Sequence, residues 1–354
     1  MMKLYQDAAG PCLAPSGSVI AVGAFDGLHR GHAALLARVR EHALARGLIP
    51  AVVSFEPLPR AFFAREPMPR LGSLREKLQG FAAAGMELVL LLRFDAQLAA
   101  MDAVDFVRGV LVERMGAREI LVGEDFRFGH QRAGDFALLQ QIGGECGFSA
   151  HALEQIAVDG ERASATRIRE LLAEGKFEPA ARLLGRPFSI GGRVVRGNRM
   201  GHELGYPTAN IRLCRRVAPL GGIFAVRVRG RDLAFARCVE AHEPWPATAH
   251  EHEAPTESWP GVASLGVRPT VGGTEPLLEA YLFDFDGDLY GKHLEVEFVA
   301  KLRDEKKFAD LDALKMQMDR DAEEASRILR LRIDDKLPFR QPGHGMAGIQ
   351  HHER

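Results

Sequence analysis

The sequence predicts an α/β protein of two domains: a parallel sheet covered by helices, then a small antiparallel barrel followed by a long helix. Three observations carry this. The chain has 354 residues, and a single hydrophobic core rarely grows past ~250–300 residues. Its first half alternates strand-like and helix-like segments, which implies a parallel sheet with helices on both faces. Near Leu184 the texture changes to short strands with glycine-rich turns, the pattern of a small barrel.

The elements follow in order. Ser18–Ala24 (SVIAVGA) is a short apolar strand. His32–Arg46 repeats Leu35, Val39 and His42 or Ala43 at helical spacing and ends at Gly47, a C-cap residue. Ala51–Phe55 reads as a buried strand broken by Pro57 and Pro59, and Ser73 starts another helix. Glu87–Leu92 and Glu119–Val122 are strands; Ala103–Met115 and Asp135–Cys146 are helices. Thr166–Leu172 and Glu178–Leu184 form two short helices. The expected barrel strands are Ser189–Val195, Ile223–Val228, Leu233–Val239, Leu278–Phe285 and Leu294–Leu302, several with period-2 alternation. Asp286-Gly287 reads as a hairpin turn. Asp310–Leu331 is one amphipathic helix, Ala241–Ser258 an inserted surface loop, and the tail after Pro338 lacks periodicity. The expected division is 1–184, 185–336 and a tail of 337–354.

Composition narrows the function classes. Hydrophobic residues make up 46% and charged residues 26%, as in an ordinary globular chain. Lys and Arg number 46 against 47 Asp and Glu, a net charge of −1, which lacks the global field of a nucleic-acid binder. The longest apolar run, Leu88–Leu92, is far below the ~20 residues of a membrane span. No signal peptide is visible in Met1–Ala9. Cys12, Cys146, Cys214 and Cys238 are scattered without a CxxC pair. That argues for a reducing, cytoplasmic location with no zinc site or disulfide framework. Nothing in the sequence signals an oligomeric state.

The sharpest chemistry lies in Gly23-Ala-Phe-Asp-Gly-Leu-His-Arg-Gly-His32, between a strand and a helix. Gly23, Gly27 and Gly31 allow tight turning and close approach of a ligand. The helix N-terminus offers free N–H groups and a positive dipole end, an anion site. His29 and His32 lie three apart and can face the same phosphates. The string is not a P-loop, because no Gly-Lys-Ser/Thr follows. In Ser164-Ala-Thr-Arg-Ile-Arg169, Ser164 or Thr166 caps a helix and Arg169 offers charge for a triphosphate. Gly123–Gly129 (GEDFRFG) follows a strand, where a nucleotide-contacting loop is expected.

In the second half, Gly201–Asn210 (GHELGYPTAN) ends with Thr208 and Asn210 on one side of an extended segment. Their oxygens suit a Mg²⁺ between phosphates; the plainer reading is a tight turn. Glu279, sharing a strand face with Tyr281 and Phe283, is either surface or a general base for an alcohol. Arg303 and Glu305 form either a ligand-facing rim or a surface ion pair.

Together these residues resemble the prokaryotic bifunctional riboflavin kinase/FMN adenylyltransferase family. The resemblance runs from about Val19 to Ser326 through GAFDGLHRGH, SFEPLPR, VGEDFRFG, SATRIR, LLGRPF, LGYPTANI, GVRPT, DFDGDLYGK and LRDEKKF, in family order. It implies a Rossmann-like HxGH nucleotidyltransferase domain that adenylylates FMN to FAD. It also implies a riboflavin kinase barrel that phosphorylates riboflavin with ATP and Mg²⁺. By motif, His29 and His32 stabilise the ATP phosphates, and Gly23, Phe25, Asp26, Gly31, Ser164, Thr166 and Arg169 surround the nucleotide. Asp125 lies in the loop contacting flavin or nucleotide. Gly205 and Thr208 would bind the kinase's ATP, Thr208 and Asn210 the Mg²⁺; Glu279 is the kinase base, and Arg303 with Glu305 approaches the flavin. Riboflavin, FMN and ATP are the implied partners, with neither nucleic acid nor membrane. Departures include Ala165 for a second Ser, Ser264 for Asn, His202-Glu203 for a more basic pair, and the Ala241–Ser258 insertion. The other reading is an adenylyltransferase alone, its barrel a flavin-binding or docking module.

Overall fold

The computed structural model describes residues 2–196, 206–213, 217–230, 258–270, 273–285 and 287–329. Strands β1 (Lys3–Tyr5), β2 (Ser18–Val22), β3 (Ile49–Glu56), β4 (Leu88–Arg93), β5 (Ala117–Gly123) and β6 (Ser149–Leu153) form one parallel sheet in the order β1-β4-β3-β2-β5-β6. Both faces are covered, which is why β2 is buried at every residue. Ile20 and Val22 enter one core with Val53 and Leu90; Val19 and Ala21 enter the other with Val52 and Val89.

The helices begin where local chemistry permits. Ser73 starts the Leu74–Ala83 helix with a capping box, its hydroxyl accepting from the Glu76 amide while the Glu76 carboxylate accepts from its own. Asp135 caps Phe136–Cys146, and Gly47 closes Arg30–Arg46 with φ 64°. The expected Ala103–Met115 helix differs in kind: a turn at Ala103–Asp105 runs into a π-helical Phe106–Arg114.

After the two-residue pair β7 (Ala157–Val158) and β8 (Glu161–Arg162) come helices Ala165–Ala173 and Phe177–Leu184, then a closed antiparallel barrel. Its strands are β9 (Ser189–Val195), β10 (Thr208–Leu213), β11 (Gly222–Gly230), β12 (Ser258–Thr270), β13 (Gly273–Leu282) and β14 (His293–Arg303), in the cyclic order β10-β13-β12-β11-β14-β9. Strand β12 is a correction: Ser258 opens it rather than ending a loop, and Pro260, Gly261 and Pro269 mask it as turns in the sequence. The expected strand Leu233–Val239, the insertion before Ser258, Asp286 and the tail lie outside the described residues.

One core joins the two halves. Leu71, Ile168 and Leu171 from the first half share it with barrel residues Ile190, Val226 and Leu278. Phe177 meets the barrel interior edge-on at Phe224 (5.9 Å) and stacked at Phe298 (6.2 Å). The C-terminal helix Leu311–Ile328 packs outside the barrel, where Ala325 and Leu329 cover Ala225.

Candidate active sites

The loop from β2 to the Arg30–Arg46 helix has positive φ at Phe25 (51°), Gly27 (80°) and Leu28 (45°). Gly27 adopts this conformation freely, but for Phe25 and Leu28 it costs ~1–3 kcal/mol each and persists only where the surroundings impose it. Here they do. A Cβ at Gly27 would lie 2.8 Å from that of Leu71. Leu28 fills the space beside Gly80 where a Cβ would collide with it. Phe25 is fully buried, edge-on to Phe81 at 5.2 Å. The Asp26 carboxylate accepts from the amides of Leu71 and Gly72 and from Arg169, which also donates to the Pro69 carbonyl at 2.7 Å. The side chains of Phe25, Asp26 and Arg169 are thus engaged in holding the loop.

His29 occupies the helix N-cap without making a side-chain cap bond. Its ring stacks on His32 at 3.8 Å and 22°. Gly31 makes room for this, since a Cβ there would stand 3.2 Å from the His29 ring. Both Nδ1 atoms are buried without a partner. Burial, then Arg162, Arg186 and Arg169, push His29 down to about 4; burial, then His29 and Lys77, hold His32 well below the ordinary range. Both imidazoles are therefore neutral at pH 7 and offer one N–H each.

A consequence for stability follows. Between about pH 6.5 and about 4 the unfolded chain takes up a proton on His29 that the folded chain refuses. Stability is full above pH 6.5 and falls as the pH drops toward 4, by ~3 kcal/mol for this residue at ~1.4 kcal/mol per pH unit. Denaturant unfolding at pH 7 and pH 5 will show a smaller acid loss in His29→Asn than in the wild type; equal losses refute the burial argument.

Other charges converge on these rings. Lys77 donates to the Phe55 carbonyl at 3.1 Å and lies 3.9 Å from Glu56; burial outweighs the pull of Glu56 and brings it down to about 8. Arg162, on β8, pairs with Asp125 at 2.6 Å, and this bond holds the Asp125 carboxyl below its usual range. Ser164 caps its helix by accepting from the Arg167 amide at 3.3 Å; Thr166 accepts from Arg60 at 3.1 Å.

Beside the loop, at the carboxyl ends of β3, β4 and β5, opens a pocket of about 350 Å³. Aromatic rings wall it, with Phe55 edge-on to Phe94 at 5.8 Å and Phe126 stacked on Phe128 at 5.2 Å, while Arg60, Arg127 and Arg132 line it too. Of the lining residues, the sequence pointed to Phe126, Arg127, Phe128 and Gly129 through the Gly123–Gly129 loop; Phe55, Phe94 and Phe106 come from other parts of the chain.

On the barrel, β10, β13 and β12 bring Asn210, Glu279 and Ser264 into one cross-strand row. The row faces outward, since Ile211, Leu278, Ala280 and Leu265 fill the interior. Asn210 is nonetheless 7% exposed and Glu279 is half-buried. Thr208 pairs with Tyr281 two residues along, so it shares that face with Asn210. Arg303 does not pair with Glu305. Its guanidinium clasps Asp321 (2.6 Å and 3.0 Å) and ties the C-terminal helix to β14. Glu305 is exposed, its carboxylate lying over Gly266. Gly205 and His202-Glu203 lie outside the described residues.

Residues 13–167 match the FAD synthetase family model and residues 184–329 the riboflavin kinase model. The bifunctional riboflavin kinase/FMN adenylyltransferase of Pseudomonas fluorescens is 42% identical over 313 residues, covering 88% of this chain and 93% of that protein. The chain belongs to this bifunctional family. The namesake in Escherichia coli strain K12 is likewise 42% identical, over 90% of this chain and 96% of its own. A solved structure, described as a macrolide-efflux protein from Streptococcus pneumoniae, has a TM-score of 0.72 at 27% identity over 92% of this chain and 98% of that one. In this member of the family, the FAD synthetase match holds the histidine loop and the aromatic pocket, and the riboflavin kinase match holds the Asn210–Glu279–Ser264 row. Arg162 and Lys77 are the site-lining cations the sequence reading passed over. The KL in REKL and the R in GERAS carry no motif signal; only the fold brings them to His29 and His32.

Proposed function

We propose that the barrel face around Glu279 makes FMN from riboflavin and ATP, and that the loop around His29 joins AMP from a second ATP to that FMN. The adjacency of the aromatic pocket to the histidine loop carries this reading. A planar tricyclic ring fits between aromatic walls, and the arginines suit its phosphate.

The two reactions make opposite demands. The FMN phosphate is already an anion at neutral pH, its second ionisation lying near ~6. Its oxygen attacks the α-phosphorus of ATP, a new P–O bond forms, and the bond to the β-phosphate oxygen breaks with pyrophosphate carrying away the electron pair. No base is needed. What is needed is stabilisation of charge growing on the α-phosphate. The helix N-terminus after His29, two neutral imidazole N–H groups and Arg162 supply donors of that kind. Ser164 and Thr166 flank them at the start of the next helix.

Riboflavin presents a neutral hydroxyl, so phosphorylation requires a proton acceptor. Glu279 takes that proton as the oxygen attacks the γ-phosphorus and ADP leaves. Thr208 and Asn210 offer hard oxygen donors on the same face, which fits Mg²⁺ held partly by substrate phosphates. Among the described residues no group of three His, Cys, Asp or Glu side chains forms a metal cage. When bound, Mg²⁺ neutralises phosphate charge. We assign Glu305 to the flavin rim, and Arg303, bound to Asp321, acts through the helix it clasps.

We place both reactions in the cytoplasm and on small molecules alone. Chromatography of flavins after incubation with riboflavin, ATP and Mg²⁺ tests the scheme. FMN and FAD together are expected; FAD from supplied FMN but nothing from riboflavin refutes the barrel's role. Phe126→Ala will raise the KM for FMN in adenylylation by about 10–100-fold, the ~1–3 kcal/mol of one stacked ring, with the KM for riboflavin unchanged. An unchanged KM for FMN removes the pocket from flavin binding.

A further inference from the structure

We infer that Arg186, carried by the barrel half, is a positioning residue for the adenylyltransferase loop, so that this loop holds its working shape only with the barrel docked. The inference rests on the assignment of FMN adenylylation to that loop. Arg186 lies between the Phe177–Leu184 helix and β9, inside the riboflavin kinase match and beyond the end of the FAD synthetase match at 167. Its guanidinium nevertheless reaches back into the first half. Nη2 donates to the Gly27 carbonyl at 2.9 Å and Nη1 to the Leu28 carbonyl at 3.4 Å.

These two carbonyls belong to the peptides just before His29. A trans peptide points its C=O and N–H in opposite directions. Fixing the carbonyls of Gly27 and Leu28 on Arg186 therefore fixes the N–H groups of Leu28 and His29 on the far side. It also sets the N-cap residue from which the His29 ring projects. The same stretch carries the positive φ of Leu28, a conformation strained for a side-chain-bearing residue that needs outside support. Leu28 is gripped from the other side by its seat beside Gly80.

The barrel secures that second grip too. The Gly191 amide of β9 donates to Glu76 Oε1 at 3.2 Å, while Glu76 Oε2 closes the capping box on Ser73. That box starts the helix bearing both Gly80 and Lys77. Within the first half, Arg30 Nε also donates to the Arg182 carbonyl at 2.8 Å, just before the chain enters the barrel half. Arg186 and Gly191 thus both brace the first half from the second, and Arg186 touches the strained turn itself.

Full-length Arg186→Ala and Arg186→Lys test this, with FAD formation from supplied FMN and FMN formation from riboflavin measured on the same preparation. In Arg186→Ala the kcat for FAD should fall by about 10²-fold, the loss expected from a small misplacement of a catalytic group. The KM for FMN should stay within about twofold, because Arg186 does not line the aromatic pocket. Riboflavin phosphorylation should persist. Added methylguanidinium should restore part of the lost FAD kcat in Arg186→Ala. Lysine, lacking the planar fork, should recover less than a tenth of wild-type kcat. Wild-type kcat in Arg186→Ala overturns the inference. So does parallel loss of both activities in both variants without rescue, which marks a structural role only. If Arg186→Ala fails to fold, Arg186→Lys at wild-type kcat overturns it. A wild-type chain that makes no FAD from FMN fails the underlying assignment instead.

Discussion

His29→Ala will reduce FAD formation from supplied FMN by about 10²–10³-fold while riboflavin is still converted to FMN. The magnitude is that of removing one preorganised donor aimed at developing charge. A histidine serving only the fold would behave differently. His29 sits at the N-cap but makes no cap bond, and its Nδ1 has no partner. Its removal therefore breaks no hydrogen bond within the protein. It does remove the ring that stacks on His32, and His29→Asn, which adds a capping side chain, shows whether a better-capped helix start can replace the imidazole. Both variants should lose FAD formation, with FMN formation intact in each. Separation of riboflavin, FMN and FAD by chromatography reads all three. Equal loss of FMN and FAD would show that the two reactions share a site, against their assignment to a sheet loop and to a barrel face.

Glu279→Gln will stop FMN formation, by about 10²–10⁴-fold, and leave adenylylation of supplied FMN intact. Glutamine keeps the size of the side chain and its place in the Asn210–Glu279–Ser264 row, so the barrel should fold. It cannot accept the hydroxyl proton, and general-base catalysis is worth about that range. This variant also decides between a working kinase and a barrel that merely binds flavin. A docking module has no use for a carboxylate there, and its flavin affinity would not depend on proton acceptance. Unchanged phosphorylation in Glu279→Gln would take the base role from Glu279. Ser264, opposite Glu279 on the next strand, makes Ser264→Asn a useful companion.

Much of the architecture was legible because it depends on short-range pattern. The uniformly apolar run Ser18–Val22 needs two covered faces, so a parallel sheet followed from it. The strand Ser189–Val195 appears with the limits read from its alternation. Gly47 and Asp135 end and begin helices by local backbone chemistry alone. Strand β12 was missed because its prolines and glycine are tolerated by the partner register with β11 and β13, which no local window contains. The π-helical Phe106–Arg114 was read as an ordinary helix because the two periods are close over nine residues.

What the sequence by itself determined was the order of elements and the loop chemistry of His29 and His32, since strand, turn and helix N-terminus are contiguous in the chain. Thr208 and Asn210 shared a side for the same reason, being two apart on one strand. Tertiary structure alone decided which charges stand around those groups. Arg162 and Arg186 reach His29 from 133 and 157 residues away, and Asn210 meets Glu279 only through strand register. It also decided what holds the side chains of Phe25, Asp26, Arg169 and Arg303: Phe81, two backbone amides, Asp26 and Asp321. The physical reason is one of range. Backbone propensity and periodicity act over a few residues, whereas burial and hydrogen-bond partnership depend on what the folded chain brings alongside.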